Sequence, residues 1–317
     1  MAKKASAEGK APPKSDERQE VSVGERTVSL SNLDKVLWPK SGFTKAQALD
    51  YYARIGPVMI PHLAGRPLTR VRFPNGVDEQ RFYEKRAPKG IPEWIRTEPV
   101  GMDRAGVIDF VVCDEPATLI WLAQMAALEL HPSLALADTF DEPTALVFDL
   151  DPGPPAAMRE CCVVALRVRQ LFEQAGLECF AKSSGSKGIQ AYVPLNKGVG
   201  YDQVKPFAQA VAQALEQVEP DLVVSRMTKS LRMGKVLVDW SQNTRSKTTV
   251  AVYSLRARER PTASAPVTWE EVEKGAAGEL GLIFDCGEVL ERVEEMGDIF
   301  APVLELEQDL PTGAGRD

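Results

Sequence analysis

The sequence predicts an α/β (α+β) protein, and three observations carry that prediction. Short apolar runs such as Leu146-Val-Phe-Asp149-Leu-Asp151, closed by Pro152-Gly153, have the length and the turn residues of strands. Longer stretches near 44–59, 156–175 and 202–219 space their apolar residues at helical intervals. The composition, 44% hydrophobic and 26% charged over 317 residues, is that of a globular chain with one large or two smaller domains. No internal repeat is visible.

Several classes are excluded at this level. No apolar run approaches the roughly 20 residues needed to span a bilayer. The N-terminus is rich in Lys, Ala and Pro without an apolar core, so it does not read as a secretory signal. The five cysteines, with Cys161 and Cys162 adjacent, form no metal-binding spacing; reduced thiols in a cytoplasmic protein are expected. A net charge of −7 argues against a general nucleic-acid coat protein but leaves room for a local basic track.

Taken in order, residues 1–20 are poor in apolar side chains and read as a disordered tail. Val28-Ser-Leu30 reads as a short strand, and Ser31-Asn32 as a cap for a helical turn. Thr44 and Gln47 form a capping box for a helix through about Met59, with Ala48, Tyr52, Ile55 and Met59 on one face. Residues 68–86 interleave Arg70, Arg72, Arg81, Lys85 and Arg86 with Phe73, Phe82 and Tyr83. That alternation suits a groove on which nucleic-acid bases stack, and equally a hairpin with a charged outer face and a buried aromatic face. Residues 117–130 read as a buried helix ended by His131-Pro132. Residues 156–175 read as a helix, Leu177 to Phe180 as a strand, and residues 202–219 as an amphipathic helix. The remainder, from about Pro261, is acidic and reads as largely helical.

Asp149 and Asp151 alternate on one strand and so share a face, where two adjacent carboxylates raise each other's pKa. A divalent cation such as Mg²⁺ or Mn²⁺, which prefers oxygen ligands, removes that cost; a solvent-facing strand end explains an isolated pair equally well. Ser183-Ser-Gly-Ser-Lys-Gly-Ile-Gln190 is a Gly/Ser loop whose small residues let backbone N–H groups approach a phosphate, with Lys187 supplying charge. It lacks the Walker A spacing. Residues 225–235 are strongly basic, with Arg226, Lys229, Arg232 and Lys235. Val236-Leu-Val-Asp239 repeats the acidic-strand pattern and offers a third carboxylate. Three carboxylates with several cations suit a triphosphate held by two metals.

With these stretches in place, the chain resembles the polymerase domain of bacterial ATP-dependent DNA ligase D. This is a family of the archaeo-eukaryotic primase superfamily that serves non-homologous end joining. The matching stretches are DKVLWP (34–39), RVRFPNGVD (70–78), VFDLDPG (147–153), SSGSKGIQAYVPL (183–195), MTKSLRMGKVLVDWSQN (227–243) and SKTTVAVYSLR (246–256). The resemblance covers about residues 25–300 and implies a primase-polymerase fold. In that fold a mixed, largely antiparallel central sheet is flanked by helices, and a smaller N-terminal part contains β structure. The domain then spans 21–300, with an N-terminal part (about 21–140), a catalytic core (about 141–260), a helical part (about 261–300) and a tail (301–317).

The resemblance further implies template-directed addition of nucleotides, with ribonucleotides preferred, at DNA ends and short gaps in a bacterial cytoplasm or nucleoid. Asp149, Asp151 and Asp239 match the carboxylates that bind two Mn²⁺ or Mg²⁺ ions. Ser184 and Lys187 match the phosphate-contacting loop. Lys229, Arg232, Gln242, Arg256 and His131 match further contacts to the nucleoside triphosphate. Phe82 and Tyr83 match aromatic positions that stack on a base. Lys35 and Lys45 match a pocket for a DNA 5′-phosphate. A Ku-like end-binding protein and a ligase are the partners the family implies, and no membrane. Gln190 stands where members usually carry His, next to the Lys187 loop, and Val71 where a Lys of the 5′-phosphate pocket is expected. Arg70 and Arg72 flank Val71 but point to the other face of a strand. No ligase or nuclease segment is seen, which fits either a stand-alone member or a piece of a larger protein. A metal-dependent nuclease or phosphodiesterase would use the same acids, and a non-catalytic DNA end-binding protein would keep the 5′-phosphate pocket.

Overall fold

The computed structural model of the protein describes residues 18–103 and 106–311. Most of the tail expected over 1–20, and the last six residues, lie outside that range. The first strand, Gln19–Val23, begins inside the expected tail and pairs with Arg26–Leu30 as a hairpin. Ser31 and Asn32 cap no helix: Asn32 takes a left-handed φ of 54°, and the next helix begins at Lys45.

The centre is a six-stranded sheet in the order Val223–Val224, Val236–Asp239, Ala145–Pro152, Ile189–Pro194, Phe180–Ser183, Ala265–Val267. Its pairs are antiparallel except the parallel pair Val223–Val224 with Val236–Asp239. The Ala145–Pro152 strand therefore has neighbours on both sides, which suits its apolar content. Phe148 and Leu150 point to one face, where the Phe148 ring meets Phe172 at 5.8 Å. Phe172 belongs to the helix Met158–Gln174, which also buries Cys161, Val164, Ala165 and Val168. Because side chains alternate, Asp149 and Asp151 emerge on the opposite face. Packing of the apolar face thus fixes where the acids stand.

On that side a second sheet brings His131 to the same cavity as the two aspartates. Leu68–Arg72 pairs with Phe82–Glu84, with Gly106–Val111 and with Ala127–Pro132, and Thr97–Asp103 lies outside Gly106–Val111. The helix Lys45–Leu63 packs beneath it, opened by the capping box of Thr44 and Gln47. Its Tyr51 and Tyr52 hydroxyls donate to the carbonyls of Tyr253 and Leu128, fastening the N-terminal part to the core.

Further expectations need correction. Residues 117–130 are not one helix. The helix Pro116–Gln124 stops, Ala126 turns with a left-handed φ of 55°, and Ala127–Pro132 is a strand carrying His131. An apolar run buried on both sides has no periodicity to separate helix from strand. The strand expected over 177–180 is Phe180–Ser183, shifted toward the Gly/Ser loop. The 68–86 hairpin inverts the buried-aromatic expectation: Arg70 is buried against Glu84 and the Arg86 carbonyl, while Phe82 and Tyr83 are exposed. From Pro261 the chain first adds strands, Pro261–Ala263 and Ala265–Val267, before the helices Trp269–Ala277 and Cys286–Met296. Within the stretch read as a tail, Pro302–Glu305 is a short helix and the Gln308 side chain bonds Glu178 and Pro194.

All five cysteines are free and buried. Among the described residues no helix is long and apolar enough to cross a membrane.

Candidate functional site

Register assembles the site. Asp149 lies directly opposite Asp239 on one neighbouring strand and opposite Gln190 on the other. Gln190 in turn lies opposite Lys182. Directly opposed residues share a face, so Asp239, Asp149, Gln190 and Lys182 form one row across the sheet, with Asp151 two residues along. Like charges placed opposite one another destabilise a sheet. Burial, with Asp151 next and Asp239 adding to it, pushes Asp149 up to about 6, against a hydrogen bond from Gln190 and the charge of Lys182.

Asp149 and Asp151 open into a cavity of about 300 Å³ that is also lined by His131, Ser184, Ser186, Lys187, Gln190, Gln242, Thr248, Thr249, Arg256 and Arg258. The cavity is predominantly polar, as a site for a charged ligand must be. Asp239 is turned aside. Its carboxylate accepts from the Ser241 N–H at 2.8 Å, from the Ser241 hydroxyl at 2.5 Å and from Gln242 Nε2 at 3.2 Å. Among the described residues no three His, Cys, Asp or Glu side chains are drawn together as a closed metal cage. By its donor chemistry the set fits a hard divalent cation: three carboxylates on one face, one of them with its pKa raised by burial and, after that, by the other two.

The loop after Phe180–Ser183 is built for close approach. A Cβ on Gly188 would overlap the Leu150 carbonyl oxygen, so glycine is what lets the loop lie against the carboxylate strand. The Ser184 hydroxyl oxygen accepts from the N–H groups of Ser186 (3.3 Å) and Gly188 (3.2 Å), which leaves its own O–H free to donate. Lys187 Nζ donates to the Pro152 carbonyl at 3.1 Å, beside the carboxylate strand.

Gln190 is buried and donates Nε2–H to Asp149 Oδ1 at 3.1 Å, while its Oε1 is buried without a partner. Lys182, also buried, donates to the Val250 carbonyl (3.0 Å) and the Ser264 hydroxyl (2.8 Å), and burial holds its pKa well below the ordinary lysine value. It thereby pins Val250, part of the cavity wall.

Behind the cavity, Glu129 binds three partners. Its Oε1 accepts from the Ala257 N–H at 3.0 Å and lies 3.3 Å from Arg256 Nε, and its Oε2 is 3.1 Å from His131 Nε2. Burial alone would raise this carboxyl; the His131 bond, the Arg256 charge and the Ala257 N–H hold it at about 2. Burial lowers His131 against the pull of Glu129. Arg256 also donates to the Ser184 carbonyl at 2.5 Å.

Not every expected residue reaches the cavity. Lys229 and Arg232 lie on the loop that crosses Gly153, where a Cβ would overlap the Arg232 carbonyl oxygen; neither lines the cavity wall. Tyr83 stands at the rim, its hydroxyl 3.3 Å from the Thr248 hydroxyl, and Phe82 is exposed beside it. Lys35 and Lys45 meet elsewhere. The Lys45 N–H donates to the Lys35 carbonyl, Lys45 Nζ to the Ser31 carbonyl, and Lys35 Nζ to Asn75 Oδ1. Burial, with Lys35 adding to it, lowers Lys45 to about 8. Arg70 and Arg72 are tied to Glu84, Arg72 also to the Met125 carbonyl, so neither is spare for that pocket.

Sequence reasoning missed Glu129, Lys182 and Arg258. The spacing of Arg256 and Arg258 across one residue was a signal for the last; the other two sit in apolar strands with no motif to mark them.

The family of the LigD primase-polymerase domain matches residues 44–300. The multifunctional non-homologous end joining protein LigD of Mycolicibacterium smegmatis is 46% identical over 287 residues, 90% of this chain and 36% of that protein. The bifunctional non-homologous end joining protein LigD of Bacillus subtilis is 28% identical over 288 residues, 90% of this chain and 46% of that protein. A solved structure, the polymerase domain from Mycobacterium tuberculosis ligase D in complex with DNA, is 43% identical with a TM-score of 0.82, covering 89% of this chain and 99% of that one. The chain spans 36–37% of the length of the mycobacterial relatives it matches.

Proposed function

The chain belongs to the LigD primase-polymerase domain family, and from that premise we propose that it is a template-directed nucleotidyltransferase acting at DNA ends and short gaps in non-homologous end joining. The observation that carries the reading is the row of Asp239, Asp149 and Gln190 beside a polar cavity faced by Lys187 and Arg256.

In this reading Asp149, Asp151 and Asp239 hold two divalent ions, Mn²⁺ or Mg²⁺. When bound, these supply activation of the attacking 3′-hydroxyl and neutralise charge on the leaving pyrophosphate. The chain's own groups do the rest. Ser184 donates its free O–H into the cavity, to a phosphate oxygen or to a ribose 2′-hydroxyl, which supports a preference for ribonucleotides. Lys187, beside the carboxylate strand, supplies positive charge to the phosphates. Gln190 steadies Asp149 as a donor but carries no charge to a phosphate. His131, neutral in its buried site and bonded to Glu129, faces the sugar or base. Tyr83 and Phe82 at the rim offer faces on which a base stacks. Lys229 and Arg232, on the loop over Gly153, are further contacts to the phosphates in this reading. Lys35 and Lys45 receive the 5′-phosphate on the far side of a gap, where a buried ammonium gains most from an anion. A Ku-like protein and a ligase are the partners this role requires.

Incubating a labelled primer on a gapped duplex with Mn²⁺ alone, and then with each NTP, tests the proposal. Lengthening that depends on NTP and template is expected. Shortening with metal alone would make the protein a nuclease, and end binding without any extension would make it a binding protein.

A further inference from the structure

Two separate stretches of chain line the cavity beside the carboxylates. One is the loop of Ser184, Ser186 and Lys187, the other is Thr248, Thr249 and Val250. The second belongs to no strand or helix; Thr248 makes an isolated bridge to Ser133 and nothing more regular follows. Its backbone groups have no ladder to satisfy them, and a buried carbonyl without a donor is costly. Val250 is buried, and its carbonyl accepts from Lys182 Nζ at 3.0 Å. The same Nζ donates to the Ser264 hydroxyl oxygen at 2.8 Å, and that hydroxyl donates onward to the Ser183 carbonyl at 2.7 Å, at the root of the loop. Both stretches therefore hang on one nitrogen.

Lys182 reaches them from the face of the central sheet that carries the acids. It lies opposite Gln190 in the ladder, and its Nζ stands 5.7 Å over the ring of Tyr192. The Tyr192 hydroxyl is 2.9 Å from the Thr249 hydroxyl. Consecutive residues of the irregular stretch are thus held by two side chains of one sheet face. An amine is costly to bury, and an apolar side chain would fill the space more favourably, so filling space does not account for a lysine here.

We infer that Lys182 is a positioning residue that fixes the Thr248–Val250 stretch relative to the Ser184 loop, and so sets the shape of the cavity that receives the nucleotide. The inference rests on the nucleotidyltransferase reading for the identity of that ligand. Lys182 does not itself line the carboxylate cavity, so its effect passes through Val250 and, by way of Ser264, through Ser183. Strand register holds Asp149 opposite Asp239 independently of it. The loss on removing its nitrogen therefore falls on nucleotide binding and not on the chemical step.

The test compares wild type, Lys182→Met, Ser264→Ala and the double variant, at a temperature where circular dichroism shows each to be folded. ATP binding without DNA is measured by titration calorimetry with Mn²⁺ present. Lys182→Met keeps the length of the side chain and removes its donors, and its ATP affinity should fall by about ten-fold. The KM for ATP should rise in step, while kcat at saturating ATP, and Mn²⁺ affinity read by electron paramagnetic resonance, should change by less than about two-fold. Ser264→Ala leaves Lys182 on Val250 but cuts its link to Ser183, and should weaken ATP by about three-fold. The double variant should lose less than the product of the two single losses, since both act through one nitrogen. Unchanged ATP affinity in folded Lys182→Met, or a double loss equal to that product, would overturn the inference. So would a loss confined to kcat or to Mn²⁺ affinity, which would mean that the nitrogen acts on Asp149 through its charge. Should Lys182→Met not fold, Ser264→Ala decides, and an unchanged ATP affinity there is the contrary result. Wild type that binds ATP but extends no primer would defeat the polymerase reading and leave the comparison of affinities standing.

Discussion

The Glu129 anchor makes a quantitative prediction. Glu129 is almost fully buried, and three contacts hold its carboxyl at about 2 against an ordinary 4.5. A folded-state pKa below the unfolded one means that the ionised form stabilises the fold. The contribution is complete above pH 4.5 and is lost as pH falls toward 2. Its size at neutral pH is at most about 3 kcal/mol, from roughly 1.4 kcal/mol per pH unit. Glu129→Gln keeps the shape and an acceptor for the Ala257 N–H but removes the charge facing Arg256 and His131. Urea unfolding at pH 7 should show the variant less stable by about 2–3 kcal/mol. That gap should narrow by about 2 kcal/mol by pH 3, as the unfolded wild-type chain takes up a proton on this carboxyl while the folded one still holds it ionised. The KM for ATP should rise as well, since Arg256 holds the Ser184 carbonyl. A gap below about 0.5 kcal/mol, or one that does not change with pH, would refute the claim that this network is an ionic anchor.

Three further outcomes follow from single contacts. Gln190→His restores a ring able to carry charge beside Asp149; steady-state extension should show a lower KM for the nucleotide by up to about ten-fold, with unchanged DNA affinity. Wild type should bind gapped DNA with a 5′-phosphate more tightly than with a 5′-hydroxyl. The difference should shrink with added salt, should weaken above about pH 8 as Lys45 loses its proton, and should vanish in Lys35→Ala/Lys45→Ala. Gly153→Ala forces the Arg232 carbonyl away, and a melting experiment should register a loss of about 1–3 kcal/mol, with extension reduced because the basic loop is displaced.

The sequence was most legible where local chemistry decides the outcome. The capping box of Thr44 and Gln47 opens a helix as read, and residues 158–174 and 201–218 form helices within a residue or two of the reading. The alternation that sets Asp149 and Asp151 on one face is likewise a property of the strand alone. Legibility failed where tertiary contacts decide. Ala127–Pro132 is a strand because Leu68–Arg72 pairs with it, and nothing in its six residues announces the partner. Arg70 is buried because Glu84 waits on the neighbouring strand, a pairing that nothing in the alternation of the stretch announces. The opposition of Asp149 and Asp239 was suggested by two similar acidic strands, but register alone fixes it. The turning of the Asp239 carboxylate toward Ser241 had no signal in sequence, since it depends on the 3₁₀ turn Trp240–Gln242 that Asp239 itself caps. Glu129 and Lys182 escaped notice for a related reason: a buried charged residue in an apolar strand has meaning only through the partners that folding brings to it.

The most direct test of nucleotidyl transfer at three carboxylates is single-turnover extension of a gapped, 5′-phosphorylated duplex by Asp239→Ala beside wild type, with Mn²⁺ and ATP. Circular dichroism, melting temperature and gapped-DNA affinity are measured on the same preparations. Asp239 stands opposite Asp149 and is bonded to Ser241 and Gln242 at the surface of the sheet, so its removal should leave the fold and DNA binding intact. Extension should fall by at least about a thousand-fold if its carboxylate holds a metal that the chemistry requires. A folded Asp239→Ala protein that extends the primer at near the wild-type rate would contradict the account.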